Sequence, residues 1–260
     1  MGLLSSLGLL TLTSWHTSVD PDTYLHLTVG QWILDHSAIP RADIYSHSLL
    51  GNAWVAHEWL SECILAAIYR LGGWTGLVLT LALTLASTLA LLLRFLLKRV
   101  PPIYAIFFTA LAYSTLASHL LIRPHVFTWP LLVIWVGTLI SSSENSRTPP
   151  IYLLVLMILW ANLHGSFVFG LAIVLPLGAS AILSAPQDLR VKLLKGWLLF
   201  WFLAIGASAL TPLGIDGLFF PFALFKLTHL NSIIEWMPYQ FSELGGLEIV
   251  LLSYFALALM

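Results

Sequence analysis

Long uncharged apolar runs alternate along the chain with short polar or basic interruptions. The clearest run extends from Trp74 to Leu93 and ends at a basic cluster that begins with Arg94. A helix of about 20 mostly apolar residues can cross the hydrocarbon core of a bilayer. The pattern therefore predicts a first clear span near residues 74–97 and further spans near 101–118, 124–140, 151–163, 166–186, 196–211 and 247–260.

A long polar loop, residues 14–73, precedes the first clear span. Apolar residues recur at helical spacing over 22–34 and again over 54–70, which predicts two amphipathic helices. We expect both helices to lie on the membrane surface. The segment before this loop, residues 2–13, is short for a crossing, so it predicts either a short first span or a signal-like segment.

Composition supports a membrane protein. Of the 260 residues, 59% are apolar and 9% are charged, against roughly 45–50% and 25% in soluble domains. Eleven basic and twelve acidic residues give a net charge of −1, which excludes the basic excess needed for nucleic-acid binding. The single cysteine, Cys63, excludes an internal disulfide. The sequence predicts an all-α protein, a polytopic transmembrane helical bundle with two amphipathic helices on its outer face.

The basic residues orient this bundle, because cytoplasmic loops carry an excess of Lys and Arg. Alternating the predicted spans divides these residues seven to four between the two sides. The richer side holds Arg94, Lys98, Arg99, Arg147, Arg190, Lys192 and Lys195, and the other holds Arg41, Arg70, Arg123 and Lys226. We therefore expect a multi-pass protein of the plasma (inner) membrane, with the long polar loop outside.

Acidic and imidazole side chains occur at the starts of both loop helices. Asp22 and His26 are one helical turn apart, and Asp20 stands just before them, so carboxylate and imidazole groups can act together. As alternatives, Asp20 or Asp22 caps the helix, or the two carboxylates hold a divalent cation. Glu58 is a further catalytic candidate near the membrane plane, where the pKa of a carboxyl rises, with a solvated polar face as the alternative.

A basic group follows the second predicted span. Arg123 is flanked by His119 and His125 at an outward helix junction. A guanidinium there can donate two parallel hydrogen bonds to a phosphate, with the histidines assisting. The alternative is an arginine that only extends toward the membrane surface.

Two later segments add candidates for substrate binding. Asn162 and His164 lie at a break between two predicted spans, where a helix terminus favours a polar or anionic ligand; a simple polar turn is the alternative. Glu235 stands next to Trp236, and this ring can stack on a sugar or anchor the chain at lipid headgroups.

The first loop helix begins with Asp22-Thr23-Tyr24-Leu25-His26, an Asp-x-Tyr-x-His pattern. With the opening hydrophobic segment, the loop of two amphipathic helices and the alternating spans, it resembles membrane glycosyltransferases of the GT-C fold. That class includes oligosaccharyltransferase catalytic subunits and polyprenyl-phosphate-sugar transferases. Four further stretches resemble uncharacterised bacterial polytopic members: residues 43–46, 54–60, 160–165 and 235–238.

The resemblance implies a GT-C-like bundle that moves a sugar from a polyprenyl-phosphate donor to an acceptor on the outer membrane face. It places Asp22, and with it Asp20, at the catalytic centre. The next outer loop lacks the second acidic motif of many such enzymes, so metal dependence stays open. Members are longer and this chain ends inside an apolar run, which suggests a C-terminally truncated fragment. The alternatives are a transporter or flippase for a lipid-linked or anionic solute, and a non-catalytic membrane scaffold.

Overall fold

The computed structural model describes residues 20–224 and 246–258. This part of the chain contains nine α-helices and two short 3-10 helices, Ala117–His119 and Pro124–Phe127. Its β-structure is limited to one isolated antiparallel bridge between Ala42 and Ala53. The predicted all-α class is confirmed. The helices are α1 (Pro21–His36), α2 (Trp59–Leu96), α3 (Pro102–Leu116), α4 (Thr128–Glu144), α5 (Leu153–Leu163), α6 (Phe167–Ser184), α7 (Gln187–Ser208), α8 (Ile215–Leu224) and α9 (Gly246–Ala258).

Four helical segments are long and apolar enough to cross a membrane. Three of them are α2, α6 and α7. The fourth is the segment Pro124–Glu144, which consists of the second 3-10 helix followed by α4. Helices α3 and α5 are apolar but shorter. Large apolar side chains remain exposed on several helices, including Phe169 on α6 and Phe202 on α7. An exterior of this kind is typical of helices that contact lipid or a partner rather than water.

Helix α2 consists of two straight parts joined at Gly73. This glycine has φ 56° and ψ −150°, a combination that is essentially restricted to glycine. The second part, from Trp74 to Leu96, is about 34 Å long at ~1.5 Å per residue, which is enough for one crossing. The kink falls between the predicted second loop helix and the predicted first clear span.

Two helices begin at positions that differ from the sequence-based boundaries. The helix predicted over 54–70 starts at Trp59, because the backbone N–H of Trp54 donates to the carbonyl of Arg41 and keeps the preceding residues in a loop. The span predicted over 196–211 is the second part of α7, which starts directly after Pro186. Three basic residues assigned to a connector are therefore exposed on its first turns: Arg190, Lys192 and Lys195.

Two hydrophobic clusters hold the helices together. The larger lies among α4 to α7 and contains the fully buried rings of Trp135 and Trp160. The smaller joins α1 and α2 to the segment after α3, through residues such as Leu27, Leu65 and Ile122. The apolar face of α1, expected on the membrane surface, is thus largely buried against α2 and this segment.

Candidate functional site

The candidate site forms where α1 lies against the first part of α2. Gly30 makes this approach possible, because a Cβ atom there would overlap the backbone carbonyl group of Glu62 and crowd Ala66. The segment after α3 and the break between α5 and α6 close the other sides. We call the resulting group of charged and imidazole side chains the polar cluster; it comprises Asp20, Asp22, His26, His57, Glu58, Glu62, Arg123 and His164.

One half of the polar cluster is an ion pair that ties the start of α1 to the segment after α3. Arg123 donates from Nε and Nη2 to the two carboxylate oxygens of Asp20, each at 2.6 Å. Its Nη1 lies 3.0 Å from Oδ2 of Asp22. The hydroxyl of Thr23 donates to Asp20 at 3.1 Å and to the carbonyl of Ile122 at 3.0 Å.

Burial and charge act in opposite directions on Asp20. Burial alone would raise the pKa of its carboxyl, but the hydrogen bonds and charge of Arg123, with smaller help from Thr23, hold that pKa below its ordinary value. Asp20 occupies the N-cap position of α1, yet its side chain makes no capping hydrogen bond. The carboxylate of Asp20 is therefore directed mainly to Arg123.

The other half of the cluster is built around two carboxyls of α2 and its preceding turn. Nδ1 of His26 lies 3.1 Å from Oε1 of Glu62, and Nε2 lies 3.9 Å from Oε2 of Glu58. Burial would lower the pKa of His26, but the hydrogen bond to Glu62 and the nearby carboxylate charges outweigh it and raise that pKa. The predicted pairing of His26 with Asp22 is not formed, because Asp22 contacts Arg123 and acts on His26 only through its charge.

Glu58 stands at the centre of three imidazoles. Its Oε1 lies 3.1 Å from Nε2 of His164 and 3.6 Å from Nε2 of His57. Its side chain is only 11% exposed, and burial raises its pKa to about 7; the charge of Glu62 adds to this rise, while those of His26 and Arg123 oppose it. Glu58 is therefore a carboxyl that exchanges its proton near neutral pH.

Hydrogen bonding defines which nitrogen of His164 carries the proton. The backbone N–H of Ser166 donates to Nδ1 at 3.0 Å, so the neutral ring carries its hydrogen on Nε2, the atom that lies 3.1 Å from Oε1 of Glu58. Burial lowers the pKa of His164 to about 3 and that of His57 to about 4. Both rings are thus neutral near pH 7.

Three buried polar atoms beside the cluster have no hydrogen-bond partner among the described residues: the hydroxyl of Tyr45, Nε1 of Trp54 and Oε2 of Glu62. The rings of Tyr45 and Trp54 meet edge to face, with centroids 5.8 Å apart. Burial, together with the charges of Glu62 and Asp43, raises the pKa of Tyr45 to about 12. Tyr45 therefore lies near both Trp54 and the charge of Glu62, and these three side chains carry two donors and one carboxylate oxygen that lack partners within the described ranges.

The remaining predicted residues fall into three groups. The ring of His125 is 6.3 Å from that of His164 and its Nε2 lies 3.1 Å from the carbonyl of His119, whose own side chain is exposed. Asn162 accepts a hydrogen bond from Trp59 and donates two to backbone carbonyls, so it joins helices rather than binding substrate. Glu235 and Trp236 lie outside the described residues.

The sequence interpretation missed Glu62, His57, Tyr45 and Trp54 as site residues. A signal for Glu62 was present, because it follows Glu58 at helical i,i+4 spacing. The other three fall within stretches 43–46 and 54–60, which carry the family resemblance, but their approach to the site depends on how the loop before α2 folds.

No group of three or more His, Cys, Asp or Glu side chains within residues 20–224 and 246–258 is arranged to hold a metal ion. Asp20 and Asp22, predicted as a cation-binding pair, both contact the guanidinium of Arg123. A divalent cation at these carboxylates would have to displace Arg123.

Comparison of the chain with family models, with curated proteins and with solved structures found no match. Function must therefore be inferred from the chemistry of the polar cluster. Its main features are one carboxyl with a pKa near neutrality, one oriented guanidinium and three buried polar atoms without partners in residues 20–224 and 246–258.

Proposed function

We propose that this chain is an integral-membrane glycosyltransferase with a GT-C-like bundle, which moves a sugar from a polyprenyl-phosphate donor to an acceptor hydroxyl on the outer membrane face. The observation that carries the proposal is Glu58, a buried carboxyl whose pKa lies near 7. A general base is most effective when its pKa is close to the working pH. The resemblance of the first loop helix to glycosyltransferases supplies the reaction class.

In the proposed step, the acceptor oxygen attacks the anomeric carbon of the sugar while the bond from that carbon to the phosphate oxygen breaks. Glu58 takes the proton of the acceptor hydroxyl, and the electron pair of the broken bond leaves with the polyprenyl phosphate. Nε2 of His164 lies 3.1 Å from Oε1 of Glu58, so we assign this ring to positioning the carboxylate that accepts the proton. We therefore assign the base role to Glu58 and not to Asp22, which the resemblance places at the catalytic centre.

Arg123 is the group assigned to the donor phosphate. Asp20 holds Nε and Nη2 of the guanidinium in a fixed plane, whereas Nη1 faces Asp22, whose side chain is 54% exposed. We expect the donor phosphate to compete with Asp22 for this guanidinium. Asp20 then acts as a positioning residue, and Arg123 neutralises the charge that develops on the leaving phosphate.

The unpartnered atoms of Tyr45, Trp54 and Glu62 support a ligand rich in hydroxyl groups. Buried polar groups nearly always have hydrogen-bond partners, and a sugar offers both donors and acceptors at short spacing. The carboxylate oxygen would accept from a sugar hydroxyl, and the tyrosine and tryptophan would donate to sugar oxygens. We assign these three residues to sugar binding.

The membrane location follows from the apolar helices. Four segments have the length and composition of spans, and the basic residues favour the outside for the end of the molecule that carries the polar cluster. A donor with a lipid tail reaches such a site from within the bilayer.

Transport of a lipid-linked or anionic solute is the second candidate. The pKa of Glu58 favours it, because a carboxyl that titrates near pH 7 can couple solute movement to protons. It ranks lower because Asn162, which a transporter would use to bind the solute, is engaged in contacts within the protein.

The test uses purified protein in liposomes with a panel of synthetic polyprenyl-phosphate hexoses and pentoses, and water or a simple alcohol as acceptor. Mass spectrometry follows the release of polyprenyl phosphate. We expect release by the parent protein and by Asp188→Asn, which changes an exposed carboxylate of α7, and none by Glu58→Gln. Donor that crosses the liposome bilayer intact, with no released polyprenyl phosphate, would support transport instead.

A further inference from the structure

A separate cavity lies at the far end of the second part of α2, remote from the polar cluster. It has a volume of about 520 Å³ and opens between the ends of α2 and α4. Its walls combine apolar side chains, such as Leu91, Val133 and Ile134, with a basic rim formed by Arg94, Lys98 and Arg99. The proposed glycosyl transfer makes no use of this cavity.

The three basic residues of the rim are not equivalent. Arg99 donates to Glu144 from Nη2 at 2.7 Å and from Nε at 3.1 Å, and its guanidinium lies 3.8 Å from the centre of the Phe95 ring. Arg94 and Lys98 are exposed and form no ion pair with any residue of the described ranges. Two positive charges therefore remain uncompensated at the rim.

The apolar wall has room because a glycine lies opposite Phe95. A Cβ atom at Gly137 would be 3.0 Å from Cδ2 of Phe95, so any larger residue would push this ring. Hydroxyl groups of Thr138, Ser141 and Tyr152 also line the cavity; Ser141 accepts a hydrogen bond from Arg99, and the other two lie 3.4 Å apart. Apolar side chains, hydroxyl groups and cations in one cavity match the acyl chains, glycerol ester and phosphate of a phospholipid.

We propose that this cavity binds one anionic phospholipid, with its phosphate at Arg94 and Lys98 and its acyl chains against Leu91, Val133 and Ile134. A soluble phosphate could use the cations but not the wall, and a neutral lipid could use the wall but not the two charges. The inference rests on the proposed membrane location, in which this end faces the cytoplasm, where anionic headgroups attract basic residues. It is independent of the glycosyl transfer reaction.

The experiment is native mass spectrometry of delipidated protein in detergent, titrated with dioleoyl phosphatidylglycerol, with dioleoyl phosphatidylcholine or with glycerol 3-phosphate. We expect one tightly bound phosphatidylglycerol and weaker binding of the other two. Removing both charges in Arg94→Gln/Lys98→Gln is expected to weaken phosphatidylglycerol binding about 10- to 30-fold. The matched single changes are Lys98→Gln and Lys195→Gln, the latter at an exposed lysine of α7 outside the cavity.

Each outcome decides the proposal. The proposal is supported if Lys98→Gln and the double variant bind phosphatidylglycerol more weakly while Lys195→Gln binds it normally. Equal binding of phosphatidylcholine would reduce the cavity to a non-selective apolar groove, and equal binding of glycerol 3-phosphate would indicate a soluble phosphate. Equal loss in Lys195→Gln would indicate general charge attraction. Lys98→Gln and Lys195→Gln both replace exposed side chains. An unchanged Tm confirms that each variant is folded.

Discussion

Replacing Glu58 by glutamine should make the protein more stable at alkaline pH while it removes the proposed base. Glutamine has the shape of the protonated carboxyl and carries no charge at any pH. Burial raises the pKa of Glu58 from 4.5 to about 7. The folded state therefore binds this proton more tightly than the unfolded chain does.

The size of the effect follows from this difference. A change of one pKa unit corresponds to about 1.4 kcal/mol. The pKa of Glu58 is about 2.5 higher in the folded state than its ordinary value of 4.5. The stability contributed by the protonated carboxyl is complete below about pH 4.5 and is lost as the pH rises to about 7. Above that value, ionised Glu58 lowers the free energy of unfolding by about 3 kcal/mol relative to a neutral residue.

The assay is thermal unfolding in one detergent, followed by tryptophan fluorescence at several pH values. About 1 kcal/mol shifts the Tm of a chain of this size by roughly 2–4 °C, so Glu58→Gln should raise Tm by roughly 6–12 °C at about pH 8. The increase should shrink to a few degrees at about pH 5. Asp188→Asn, at an exposed carboxylate, is the control and should show no such pH dependence. A lower Tm for Glu58→Gln at about pH 8 would refute the reasoning.

Three further changes test the architecture and the chemistry. Gly30→Ala should separate α1 from α2 and lower the free energy of unfolding by about 3 kcal/mol, measured as Tm; an unchanged Tm would contradict the close approach at Gly30. Arg123→Gln should lower the free energy of unfolding by about 3–5 kcal/mol, because the buried charge of Asp20 then lacks this guanidinium. Chemical denaturation measures this difference. Asp22→Asn should leave Tm within a few degrees and donor turnover detectable, whereas complete loss of turnover would return the base role to Asp22.

Sequence patterns predicted the helical class because apolar runs and their interruptions depend on local composition. The break between helices at His164 and the turn at Gly73 could be predicted as well, because each interrupts an apolar run. Helix starts were less predictable: α7 takes in basic residues that a hydropathy pattern assigns to a connector, because their charged ends are exposed while the helix continues beneath them.

The partners within the site could not be predicted, because they depend on contacts between distant segments. Asp20 and Arg123 are separated by 103 positions, and no local pattern pairs them. The position of Asp20 before a helix indicated an N-cap, but its carboxylate pairs mainly with the distant Arg123. Asn162 was a reasonable ligand candidate at a helix break, but the N–H of Trp59 and two carbonyls satisfy its side chain.

The central claim is that Glu58 is the base of a glycosyl transfer. The most direct measurement is the release of polyprenyl phosphate from the donor panel as a function of pH, for the parent protein and Glu58→Gln side by side. The account predicts that release by the parent rises with pH and levels off above an apparent pKa of about 7, and that Glu58→Gln releases none at any pH. Release by Glu58→Gln at the parent rate, with the same pH profile, would contradict it.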